Sequence, residues 1–79
     1  MAKIKHYRDE HAIKEFGRKI RALRQKKGMT IEQLANTVDI YVNQLARIER
    51  GESNTTISYI FKMAEIFNVK PSELLDFEK

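Results

Sequence analysis

Apolar residues recur early in the chain at Ile13, Phe16, Ile20 and Leu23, positions i, i+3, i+7 and i+10 of one helical face. The spacing predicts a helix that begins near Asp9 or His11 and runs to Lys26, with Lys14, Arg18, Lys19, Arg21 and Lys26 off the stripe. Gly17 in mid-helix costs about 1 kcal/mol relative to alanine, which predicts the close approach of another helix there. Gly28 suits a left-handed cap after the last turn, where Lys26 and Lys27 meet the negative end of the helix dipole.

A second stripe, Ile31, Leu34, Ala35 and Val38, marks one face of a shorter helix. Thr30 reads as its N-cap, because Gln33 three residues on completes a capping box, and Met29 and Leu34 take the two positions of a hydrophobic staple. The pattern breaks at Asp39, a residue type that tolerates the left-handed conformation better than most. A third helix follows from about Val42 to Arg50, with Leu45 and Ile48 inward and Gly51 ending it. Glu52, Ser53, Asn54 and Thr55 form a loop. Thr56 then N-caps a fourth helix with Ile57, Ile60, Ala64 and Phe67 inward, closed by Asn68. Pro71 fits the first turn of a last helix, ahead of Ser72, Glu73, Leu74, Leu75 and Phe77. The prediction is an all-α domain of five helices over residues 9–79, without strand, repeat or second domain, behind a basic arm at residues 1–8. That arm is either a disordered leader or a segment that tracks phosphate or an adjacent groove. Residues 30–51 read as a helix-turn-helix, whose short helices need the others to hold them.

Composition narrows the choice. A chain of 79 residues suggests one small domain, burying about 60–65% of its unfolded surface. The absence of Cys excludes disulfides and thiolate metal sites, so a 42% apolar fraction must supply the stability by packing. No apolar run is long enough to span a membrane. The opening MAKIKHYRDEH lacks the apolar core of a secretory signal, so a cytoplasmic location is expected. Residues 1–50 carry twelve Lys/Arg and six Asp/Glu, net +6, whereas residues 51–79 carry three and five, net −2. A basic front suits a polyanion and an acidic rear a protein partner. His6 and His11 are the only histidines, no nucleophile stands with a base, and no phosphate cradle of the GxxxxGK[ST] type occurs. Neither catalysis, a cofactor nor a metal is expected. A membrane-surface helix at 13–27 fails because the core needs its apolar stripe.

Three stretches together carry a family resemblance. Ile20, Leu23, Arg24, Lys27, Gly28, Met29 and Thr30 lead in, LANTVDIYVNQLARIERG follows at 34–51, and Ile57, Ile60, Met63, Ala64, Phe67, Val69, Leu74 and Leu75 close. From Phe16 to Leu75 the chain resembles the Cro/repressor-like, or XRE-type, helix-turn-helix regulators. The resemblance implies a compact lambda-repressor-like DNA-binding domain whose third helix enters the major groove.

Carried over position by position, the base-reading residues are Val42, Asn43, Ala46 and Arg47, with Gln44 at the edge. Arg47 would fork onto guanine, worth about 1–3 kcal/mol of discrimination, Asn43 would pair with adenine, and Val42 would touch a thymine methyl. Phosphate contacts fall to Thr30 and Gln33 at a helix start and to Tyr41, Arg50, Asn54 and Thr55. Thr30 caps its helix in any case, and Asn54 has an alternative role in shaping its loop. The sequence departs from the family at Asp39 (usually Gly), Thr55 (usually Pro) and Ile31 (usually Gln). The last departure removes a polar contact that Tyr41 would replace through its hydroxyl.

Arg24 and Glu49 match positions that pair across two helices in relatives; the alternative for Arg24 is a phosphate ligand. Tyr59, Phe61, Phe67, Leu75 and Phe77 exceed what short helices bury alone, which points to a homodimer that would set its reading helices about 34 Å apart on a palindromic operator. The expected function is a sequence-specific dimeric repressor, as in phage repressors, antitoxins or restriction–modification controllers, without an evident small-molecule ligand. The alternative is a protein-interaction module, an antitoxin or coactivator-like adaptor, on the same fold.

Overall fold

Five helices, α1 (Glu10–Lys26), α2 (Ile31–Val38), α3 (Val42–Glu49), α4 (Ile57–Phe67) and α5 (Pro71–Leu74), form the domain in the computed structural model, which describes residues 7–77 and holds no strand among them. The basic arm expected at residues 1–8 lies outside the described residues apart from Tyr7 and Arg8.

Local chemistry sets each boundary. The Asp9 carboxylate caps α1 by accepting from the Ala12 N–H at 3.0 Å. At the far end Gly28 has φ +74, and two 3.0 Å bonds return the chain, from the Gly28 N–H to the Gln25 carbonyl and from the Met29 N–H to the Arg24 carbonyl. The capping box at α2 is reciprocal. Thr30 Oγ1 accepts from the Gln33 N–H at 3.1 Å, and Gln33 Oε1 accepts from the Thr30 N–H at 2.8 Å. Asp39 takes the left-handed conformation at φ 70, and its N–H and that of Ile40 both donate to the Ala35 carbonyl. This turns the chain straight into α3. Thr56 caps α4, and Asn68 ends it at φ 55.

The core gathers one face from every helix. Ile20, Leu34, Leu45, Ile48, Met63 and Leu74 are essentially inaccessible to solvent. Packing of α1 on α3 is backbone to backbone. A Cβ on Gly17 would fall on the carbonyl oxygen of Ile48 and 2.8 Å from that of Glu49. Gly51, at φ +75, would place a Cβ 2.8 Å from the Lys14 Cα. Two glycines, one on each helix line, let the cylinders touch.

Two expectations are corrected. Ile57 does not face inward but is 71% exposed. The buried face of α4 is Met63 and Ala64 with half-buried Ile60 and Phe67; α4 packs on α2 and α5, and Ile57, its first residue, lies outside that contact face. The last helix is also shorter than its apolar residues suggest. It stops at Leu74, so Leu74 is buried while Leu75 is exposed. Among the described residues, no helix is long and apolar enough to cross a membrane.

Gly17→Ala tests the close approach. Alanine favours helix by about 1 kcal/mol, yet the overpacking should leave the variant about 1–3 kcal/mol less stable in urea unfolding. Equal or greater stability would mean that α1 and α3 do not touch there.

Candidate nucleic-acid interface

The α3 helix divides cleanly into two faces. Leu45 and Ile48 point into the core, and on the opposite side Asn43 and Arg47 are exposed, with Val42 and Ala46 half-buried beside them. One helix therefore presents an amide and a guanidinium to solvent while its other face anchors it. Gln44 lies apart from this stripe. It lines a depression with Asn36, Asp39, Ile40, Tyr41 and Tyr59, towards α2 and α4. Tyr41, just ahead of α3, is 83% exposed and makes no side-chain cap.

A buried ion pair fixes the roll of α3. Arg24 Nε donates to Glu49 Oε2 at 2.7 Å, Nη2 donates to Oε1 at 3.0 Å, and Nη1 donates to the Met29 carbonyl at 3.0 Å. The side chains are only 13% and 5% exposed. Hydrogen bonding to Glu49 raises the Arg24 pKa above its ordinary value. With three acceptors engaged, this guanidinium joins α1, the turn before α2 and α3, and it lines one groove with Thr30 and Arg50.

The phosphate candidates fall on two sides of α3. Thr30 borders a groove with Ile31, Arg21, Ala46 and Arg50, so the residue that replaces the family's usual Gln lies along the same groove as Ala46, one of the residues expected to read bases. Gln33 is exposed one turn on. Arg50 is exposed and paired with Glu52, Nε to Oε2 at 2.7 Å. Asn54 is exposed in the loop, but the Thr55 hydroxyl is buried without a hydrogen-bond partner, so as placed it offers nothing to a phosphate.

The fold also gathers cations that the sequence reading left unassigned. Lys14, Arg18 and Arg21 line one depression with Arg50 and Glu52. Their spacing of i, i+4 and i+7 along α1 was the available sign, one basic stripe beside the apolar one. Arg18 also pairs with Glu15 at 2.8 Å. Of the residues expected at a dimer surface, Phe61 at 60% and Leu75 stand exposed, whereas Tyr59, Phe67 and Phe77 pack partly against the core. Ile57 precedes Phe61 by one helical turn and extends that surface.

The fold and sequence have counterparts among known proteins. Residues 20–74 match the family HTH_3, described as helix-turn-helix. The chain is similar to the control protein C.BamHI of Bacillus amyloliquefaciens, 38% identical over 63 residues that cover 78% of each chain. It is also similar to the uncharacterized HTH-type transcriptional regulator YazB of Bacillus subtilis, 39% identical over 64 residues, 81% of this chain and 93% of the other. Among solved structures, the restriction-modification controller protein C.AhdI from Aeromonas hydrophila superposes with a TM-score of 0.74 at 32% identity, covering 78% of this chain and 94% of that one.

The ion pair makes an asymmetric prediction. Glu49→Ala strands a buried guanidinium and should cost about 3–5 kcal/mol in urea unfolding, whereas Arg24→Met with Glu49→Leu should recover most of that loss. A double variant as unstable as the single one would contradict a pair that orients more than it stabilises.

Proposed function

The chain belongs to the helix-turn-helix family HTH_3, a family of DNA-binding transcription regulators, and on that footing we propose that it binds duplex DNA sequence-specifically as a dimeric repressor with α3 in the major groove. The observation that carries this reading is the exposure of Asn43 and Arg47 on the face of α3 opposite buried Leu45 and Ile48, with the helix locked by Arg24–Glu49. Arg47 reads guanine through its fork, Asn43 reads adenine, and Val42 and Ala46 meet thymine methyls. Gln44, turned towards Tyr41 and Tyr59, contributes at the margin.

Backbone phosphates are met on both flanks. On one side the start of α2 offers the Thr30 hydroxyl proton, the Gln33 amide hydrogens and the positive end of a helix dipole. On the other, Arg50 and Asn54 act with Lys14, Arg18 and Arg21, and Tyr41 adds a phenol. Phosphate contacts position the domain, and base contacts specify the site.

A second copy completes the recognition. Ile57, Phe61 and Leu75 are three large apolar side chains exposed at the end of the domain built by α4 and α5, and a two-fold pairing there buries them and presents two α3 helices to a palindromic operator. The similarity to two controller proteins favours a controller role in a restriction–modification setting over a phage or antitoxin one. The place of work is the cytoplasmic nucleoid.

Selection from random duplexes with purified protein should return a two-fold symmetric motif, and Arg47→Ala should lose preference at one base pair per half-site, worth about 1–3 kcal/mol. An unchanged motif would remove α3 from the groove. Phe61→Asp should shift sedimentation towards monomer without loss of helical content; an unaltered profile would move the dimer surface elsewhere.

A further inference from the structure

Glu52 stands immediately beyond Gly51, at the basic depression beside α3, and it is held by both its side chain and its backbone. Its carboxylate accepts from Arg50 Nε at 2.7 Å and from Arg50 Nη2 at 3.2 Å. Its carbonyl accepts from Arg8 Nη2 at 3.1 Å, and its N–H donates to the Arg47 carbonyl at 2.9 Å. Lys14, Arg18 and Arg21 line the same depression, as does Glu49, whose carboxylate is held by Arg24. Hydrogen bonding to Arg50 lowers the Glu52 pKa, and the charges of Arg50 and Arg47 act in the same direction. The carboxylate is therefore an anion at neutral pH. Two oxygens on one guanidinium fork reproduce the geometry in which arginine takes a phosphate. The protein carries its own anion where its cations converge.

We propose that Glu52 is an internal competitor for the DNA backbone, occupying on Arg50 the position that a phosphate would take and so setting the affinity for every duplex. The inference rests on the reading that the α3 face binds duplex DNA. A phosphate must displace the carboxylate from Arg50 and then lie beside a retained negative charge. Both effects weaken binding, and neither depends on base sequence, because every duplex presents the same phosphates. Base reading by Asn43 and Arg47 is left untouched. Glu52 is a positioning residue that acts through Arg50 and does not itself touch DNA.

The experiment is a double-mutant cycle on the full chain, with E52Q, R50A and the combined variant binding a fluorescent duplex of arbitrary sequence across a salt series. E52Q should bind about 3- to 10-fold more tightly near 0.1 M salt, with a log–log salt slope close to that of wild type, because Arg50 contacts the same phosphate in both forms. In the R50A background the gain should largely disappear. A gain of equal size with and without Arg50 would overturn the proposal, because Glu52 would then act only as a distant charge. Wild-type binding that E52Q leaves unchanged would also overturn it while preserving the DNA-binding reading. Failure of wild type and every variant to bind any duplex would overturn both.

Discussion

The Arg24–Glu49 ion pair is the constraint through which the rest of the structure reaches function. Taken alone it adds little to stability, since desolvating two charges offsets most of their attraction. Its value lies in direction. A bidentate contact fixes two helices in roll as well as in distance, and the third hydrogen bond, to the Met29 carbonyl, ties the start of α2 to the same group. Which side chains of α3 face outward follows from that. Apolar packing of Leu45 and Ile48 would tolerate some rotation of an eight-residue helix, and a fork on a carboxylate does not.

Much of this was legible in the sequence, and the reasons differ from one element to the next. The start of α2 was readable because Thr30 and Gln33 act locally on each other's backbone, with no need of tertiary contacts. Gly17 announced a close approach because glycine in mid-helix has a cost that only packing explains. The partner in that approach, the α3 backbone, could not be read, since it depends on how distant segments cross. Ile57 was misplaced for a related reason. Periodicity gives the face of a helix, but whether its first turn is covered depends on the reach of its neighbours. The length of α5 was similarly beyond a pattern that ends in Leu74, Leu75 and Phe77, because apolar character alone does not separate a last turn from a trailing chain.

The candidate interface shows the same division. The outward residues of α3 were assigned from family position and from the need to bury Leu45 and Ile48. The cations of α1 were passed over, because their role depends on the crossing of α1 and α3, which brings Lys14, Arg18 and Arg21 beside Arg50. Thr55 illustrates the reverse case. A hydroxyl in a surface loop suggests a donor for phosphate, yet loop geometry turns it inward.

The glycine contacts between α1 and α3 have a dynamic consequence. At Gly17 the two segments meet backbone to backbone, and at Gly51 the turn after α3 lies directly against the stem of Lys14, so neither can swing away while the other keeps its place. An isolated helix as short as α3 would fray within microseconds, but here its opening is coupled to that of the longest element in the domain. Amide protons of Leu45 and Ile48 should therefore exchange only through global opening, whereas the single turn of α5 is free to exchange by local fluctuation. The segment that meets DNA in the proposed complex is thus among the stiffest parts of the chain, and little conformational entropy remains for it to lose on binding.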